Sequence, residues 1–419
     1  MNINPFKPGS PVPPGIFAGR AKEIELIYRA VVQTAFFSPQ NVLIVGERGI
    51  GKTSVAIISK AIAQKEIPIF HDFKQPLITA YFPIRKNTHP AIVITQLIEE
   101  LEQVLETYET ILSSVQKYFE TFLKRFKGIS IKGLSLETHA EKNLTPDDVY
   151  SDARKVLRKI ATACFNQPAG EQRGLCLIVD ELDQMKDAES FSSFWKTLQE
   201  LLLADGVNNL MVIFVGMPEM IQSLNEDHES FLRTFTPINL DRMNDADARD
   251  VIHKALSKTT KTISHEAIDK IIYYSERYPH LIQEIGYTSF EVSNENEISL
   301  NDVENGVHGT IDFKGSVDRL GELFFSKMYD EVKKSDNFKQ ILKIIANKSG
   351  INHNWVLRQE ILDDFPLKKT SCDSAIRTLK DKKILIKNPN KDGEYRLFSK
   401  MFQVYISKIV TTHFRTDAL

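Results

Sequence analysis

Apolar residues fall along this chain in two rhythms. Short unbroken runs alternate with longer stretches in which apolar positions recur every three to four residues. The runs at 41–45, 77–82, 174–179 and 209–215 read as buried strands, and 237–240 reads as a short fifth. Between them, 21–28, 54–63, 91–108, 115–126 and 146–165 carry helical spacing; Ile24, Ile27 and Tyr28, for example, share one face. Thr145 before Pro146 marks a helix start, since threonine caps and proline suits the first turn. Residues 128–136 alternate between glycines and predict a short strand or hairpin. Strands that are apolar on both faces and alternate with helices predict an α/β fold around a parallel sheet.

From Asn244 the rhythm turns wholly helical, with starts at Asp245, Ser264 and Pro279 and a further one at Ser299 or Asn301. This predicts a core over 1–242, with a mostly helical insertion at about 85–170 that has no assigned chemistry, and then a helical lid over 243–312. Residues 317–333 predict a connecting helix within 313–335, with Leu320, Leu323, Phe324 and Met328 inward. The rest, 336–419, reads as helices at 338–346, 355–362 and 370–379. Two strands at 384–387 and 394–397 follow, joined across Asp392-Gly393. Three helices followed by a hairpin predict a winged helix-turn-helix. The five prolines of 1–16 make that segment an extended lead-in.

Length and composition narrow the class. A chain of 419 residues suggests two to three domains, and 42% hydrophobic with 26% charged residues is ordinary for a water-soluble globular protein. No apolar run reaches 18 residues, so no membrane span is expected. The first residues lack the apolar centre of a signal peptide. The cysteines Cys164, Cys176 and Cys372 are too scattered for a disulfide framework or a zinc site, so a cytoplasmic protein is expected. Net charge is −2, but unevenly spread. Residues 330–419 hold 18 Lys and Arg against 11 Asp and Glu, a net of +7, while the other 329 residues hold 35 against 44, a net of −9. A basic terminal module on an acidic body points to a polyanionic partner for that module.

The candidate chemistry centres on Gly46-Glu47-Arg48-Gly49-Ile50-Gly51-Lys52-Thr53, which fits G-x-x-x-x-G-K-[ST], with Ser54 following. It lies between a predicted strand and a predicted helix, where backbone N–H groups and a helix N-terminus converge on phosphate. Lys52 is expected at the β- and γ-phosphates of ATP and the Thr53 hydroxyl on Mg²⁺. Asp180 ends a buried strand and is expected to help hold the metal; Glu181 is expected to orient and deprotonate the attacking water. Asp183 reads as a surface residue. Arg233, just before the fifth strand, is the first choice for stabilising charge in the transition state, and Arg242 the second. After the fourth strand, Gly216-Met217 offers no polar group to sense the γ-phosphate. Pro279 or His280, at a helix start in the lid, would face the nucleotide. In the terminal module, Lys369, Arg377 and Lys380 on the third helix and Lys391 on the hairpin are candidates to track the phosphates of double-stranded DNA.

Together, Phe17-Ala18-Gly19-Arg20, the 46–53 loop, Asp180-Glu181, 215–218, Arg233, Tyr278-Pro279-His280-Leu281 and the terminal module resemble the AAA+ ATPases near their origin-recognition, transposition-regulator and STAND branches. The resemblance covers most of the chain outside 85–170. It implies a P-loop ATPase core with a lid and an ATP-controlled switch that forms homo-oligomers. It also implies that Tyr278-Pro279-His280 replaces the lid's usual sensor arginine, which favours slow hydrolysis. The reading is a slow ATP-driven switch working on DNA or a protein partner. Its rivals are a scaffold with structural nucleotide, a regulator whose winged helix contacts only protein, and, last, a small-molecule kinase.

Overall fold

Strands form where both faces of the chain are covered. β1 (Asn41–Gly46), β5 (Leu175–Asp180) and β6 (Leu210–Gly216) are buried along their whole length. The computed structural model describes residues 3–68, 72–127, 130–132, 135–137, 144–186, 188–220, 233–333, 335–350, 352–366 and 368–416. Chain contacts divide it into one unit of Pro11–Asp241 and another of Arg242–Leu419 with Met1–Ser10.

In the first unit, β2 (Ile78–Pro83) and β7 (Phe235–Leu240) complete a five-stranded parallel sheet of order β2-β5-β6-β1-β7. β7 is longer than the sequence suggested because Pro237 lies inside it. Proline cannot donate to a ladder, but β7 is an edge strand paired with β1, the kind of strand in which proline is found. Pro83 is tolerated in the opposite edge strand for the same reason. Helices α1 (Ala21–Ala35), α2 (Lys52–Ala63), α3 (Pro90–Leu105), α4 (Glu109–Phe126), α5 (Pro146–Phe165) and α6 (Ala188–Ala204) flank the sheet. Thr145 starts α5 with a capping box: its backbone N–H donates to Asp148 Oδ2 at 2.8 Å and its side chain accepts from Asp148 N–H at 3.3 Å. The 85–170 segment is no appendage. Ile111, Val115, Phe119 and Phe126 of α4 belong to one apolar cluster with Leu43 of β1 and Val179 of β5. The predicted hairpin is present as β3 (Ser130–Lys132) antiparallel to β4 (Ser135–Glu137); Gly128, Ile129, Gly133 and Leu134 lie outside the described residues.

In the second unit, the helices Asp245–Leu256, His265–Ser275, Pro279–Val292 and Leu300–His308 start behind the caps Asn244, Ser264, Tyr278 and Ser299. The segment predicted as one connecting helix is broken. An α-turn at Ser316–Leu320 runs into a π-helical stretch at Gly321–Phe325 and then Ser326–Asp330. A π turn holds more residues than an α turn, so the apolar phase slips. Leu323, expected inside, is 55% exposed, and Phe325 is buried in its place at 6%. The segment is not a separate linker either: Thr288 and Ser316 hydroxyls meet at 2.6 Å, and Arg319 pairs with the buried Glu284. Helices Asp336–Ser349, Arg358–Asp364 and Lys369–Asp381 follow. In a three-stranded antiparallel sheet, Glu394–Leu397 lies between Val356–Leu357 and Leu385–Lys387. Val356 and Leu357, expected as helix, are therefore extended. A last helix, Lys400–Thr416, was not predicted, although Met401, Phe402 and Ile406 are buried at helical spacing. Residues 1–10 belong with this second unit rather than with the core: Phe6 is buried against Gly286, and Asn4 Nδ2 donates to the Tyr287 carbonyl at 3.0 Å.

Candidate active site

The loop between β1 and α2 has the backbone its glycines permit. A Cβ on Gly46 would lie 2.7 Å from Ile50 Cγ2 and 3.0 Å from the Leu240 carbonyl oxygen, so no side chain fits there. Gly51, at φ 98°, is the left-handed residue from which α2 starts. Lys52 opens that helix and its Nζ donates to the carbonyls of Gly46 at 2.8 Å and Glu47 at 3.0 Å. The ammonium is thus held over the loop. Burial pushes its pKa down, while Asp183, Asp180 and Glu181 oppose that shift. Asp183, read as a surface residue, therefore adds to the field at Lys52.

Asp180 ends β5 and is 1% exposed. Its Oδ1 accepts the Glu181 backbone N–H at 2.8 Å, its Oδ2 accepts the Tyr81 hydroxyl at 3.0 Å, and the Thr53 hydroxyl also bonds the carboxylate. Burial raises its pKa, against those donors and Lys52. Glu181 sits in the left-handed region at φ 59°, a conformation that non-glycine residues hold at a cost of about 1–3 kcal/mol. Its carboxyl is pushed up by partial burial and then by the charges of Asp180 and Asp183, which makes it a stronger base. The oxygen donors Thr53 and Asp180 suit Mg²⁺, which prefers hard oxygen ligands and takes the rest of its shell from phosphate and water. Among the described residues no group of three or more His, Cys, Asp or Glu could hold a metal ion.

Arg20 is a residue whose role the sequence did not reveal. It is 5% exposed, holds φ 63° at the start of α1, and donates through Nη2 to the Ile50 carbonyl at 3.3 Å and to the Asp241 carbonyl. It ties the phosphate loop to the end of β7.

The other candidates lie elsewhere. Arg233 is exposed at the turn into β7, and Ser230, Phe231 and Leu232 lie outside the described residues. In the second unit, Arg242 pairs with the buried Glu276 at 3.3 Å and stacks on Tyr278, which argues for a structural role. Pro279 opens the Pro279–Val292 helix. Lys369 and Arg377 are exposed on the Lys369–Asp381 helix, with Lys380 half-buried near its end. Asp373 lies between them, paired to Arg358 at 2.7 Å. Lys391 approaches Glu394 at 3.5 Å, and Lys387 pairs with Asp392.

A parallel sheet with one strand, β6, between the phosphate-loop strand and the acidic strand, and both motifs at strand carboxyl ends, defines an α/β P-loop NTPase fold. Residues 16–213 match the family model described as AAA ATPase domain. No curated protein matches the chain. Solved structures do. The Walker-type ATPase PABY2304 of Pyrococcus abyssi aligns with TM-score 0.52 at 12% identity over 93% of this chain and 96% of its own. The Aeropyrum pernix ORC2 protein in its ADPNP–ADP complexes aligns with TM-score 0.52 at 12% identity over 99% of both chains. Its ADP form aligns at 0.50, with 13% identity over 98% and 97%. At such identity the likeness is one of fold.

Proposed function

We propose that the protein is a slow, Mg²⁺-dependent ATPase that serves as a molecular switch, controlling assembly on DNA or with a protein partner. The observation that carries this is the phosphate loop and the Asp180-Glu181 pair at the carboxyl ends of one sheet, with Thr53 already bonded to Asp180. Lys52 and the loop N–H groups would hold the phosphates, with Thr53 and Asp180 on the metal. Mg²⁺ would neutralise charge on the phosphate oxygens. Glu181 would take the proton from water. Gly216-Met217 in place of a polar sensor supports slow turnover. A neighbouring copy would supply Arg233 in a homo-oligomer. The 336–419 region is read as a winged helix, with Lys369, Arg377, Lys380 and Lys391 facing DNA phosphates.

Phosphate release tests the catalytic assignment. Glu181→Gln is expected to bind ATP as the wild type does and to lose about 10²–10⁴-fold in turnover; wild-type turnover in that variant would refute it. The ion pairs at Lys387 and Lys391 favour a second reading, in which the terminal module contacts only protein. A gel shift across salt decides between them. DNA binding that weakens steeply with salt and is lost in Lys369→Ala/Arg377→Ala supports the first reading. Binding by neither protein at low salt supports the second.

A further inference from the structure

Tyr81 lies outside every motif, yet it touches the acidic strand end. It sits on β2 two residues before Pro83, and Pro83 is the register partner of Asp180 across the parallel β2–β5 pair. Residues two apart on a strand share a face, so the phenol leans forward along the strand onto the carboxylate. Its hydroxyl donates to Asp180 Oδ2 at 3.0 Å, while the Glu181 N–H holds Oδ1 at 2.8 Å. One donor comes from a neighbouring strand and one from the acid's own backbone. With the two oxygens held separately, rotation of the carboxylate about its Cβ–Cγ bond is blocked. Thr53, from α2, bonds the same carboxylate, so three elements converge on it.

We propose that Tyr81 is a positioning residue for the metal: its hydroxyl fixes the orientation in which Asp180 is presented to Mg²⁺. This rests on the reading of Thr53 and Asp180 as the oxygen donors of a Mg²⁺–nucleotide site. Partners that orient a ligand without touching the ion commonly alter metal affinity by about 10–100-fold when removed. The phenol is suited to the task. It is half-buried on a strand, and its hydroxyl adds a donor without adding charge.

The test is calorimetric titration with a non-hydrolysable ATP analogue, in EDTA and across a Mg²⁺ series, on wild type, Tyr81→Phe, Tyr81→His, Asp180→Asn and the Tyr81→Phe/Asp180→Asn double variant. In EDTA, Tyr81→Phe is expected to match wild type, which also shows that it is folded. With Mg²⁺, it is expected to need about tenfold more metal for the same gain in affinity. The double variant is expected to equal Asp180→Asn, because the hydroxyl acts only through that carboxylate. Tyr81→His keeps a ring N–H donor and is expected to recover part of the loss. The proposal falls if Tyr81→Phe responds to Mg²⁺ as wild type does or at lower concentration, or if histidine is no better than phenylalanine. Wild type that gains nothing from Mg²⁺ would overturn the underlying site reading and the proposal with it.

Discussion

At the scale of single residues, the site depends on charge held where water is scarce. Asp180 is nearly enclosed, and burial raises its pKa above the value it has in an unfolded chain. Between those two values the folded protein binds more protons than the unfolded one. Stability of the ligand-free protein therefore falls as pH rises through that interval and stays lower above it. Asp180→Asn removes the buried charge. Its ligand-free melting temperature is expected to exceed that of wild type by roughly 2–4 °C, the effect of about 1 kcal/mol in a unit of this size, while its response to Mg²⁺ disappears. A lower ligand-free melting temperature in differential scanning calorimetry would count against the buried-charge argument. The acidic pair and the phosphate loop were legible in the sequence because each is contiguous and bounded by recognisable elements. Tyr81 and the contacts of Arg20 were not. Their partners lie 99 residues away for Tyr81, and 30 and 221 for Arg20, and a tyrosine in a strand ordinarily signals packing.

At the scale of elements, periodicity was a good guide wherever the backbone kept one period. It placed β1, β5, β6 and α5 to within a residue or two. It failed where the period changed within an element, as at the Gly321–Phe325 π turn, and where a strand was too short to show alternation, as at Val356–Leu357. Gly321, which opens that turn, packs closely against Tyr405. A Cβ on it would lie 2.6 Å from Tyr405 Cε2, and that ring is held against Phe325 and Phe402 with centroids at 5.5 and 6.2 Å. Alanine ordinarily stabilises a helix by up to about 1 kcal/mol over glycine, but overpacking a fixed ring costs about 1–3 kcal/mol. Gly321→Ala is thus expected to destabilise the protein in urea melts; a net gain would show that Tyr405 can swing aside.

At the scale of the whole molecule, the sequence predicted a core followed by a lid, a connector and a terminal module. Chain contacts group the last three, with residues 1–10, into one unit. Polar contacts within it, each with at least one buried partner, link Glu284 with Arg319, Thr288 with Ser316, and Glu276 with the Lys400 backbone N–H at 3.0 Å. Such contacts cannot be read from hydropathy, because each partner alone looks like a surface residue. Within 330–419, Arg358, Lys382, Lys387 and Lys391 have carboxylate neighbours that the surplus of +7 already counts. Exposed pairs of this kind are weak, about 0–1 kcal/mol each, and can be exchanged for phosphate contacts. Among the described residues no helix is long and apolar enough to cross a membrane.

The most direct measurement is a calorimetric titration of the wild-type protein and of Lys52→Ala with ATP and Mg²⁺. The account expects saturable one-to-one binding to wild type that is weakened at least about 100-fold, some 2.7 kcal/mol, in Lys52→Ala. Equal binding by the two proteins, or no binding by the wild type, would contradict it.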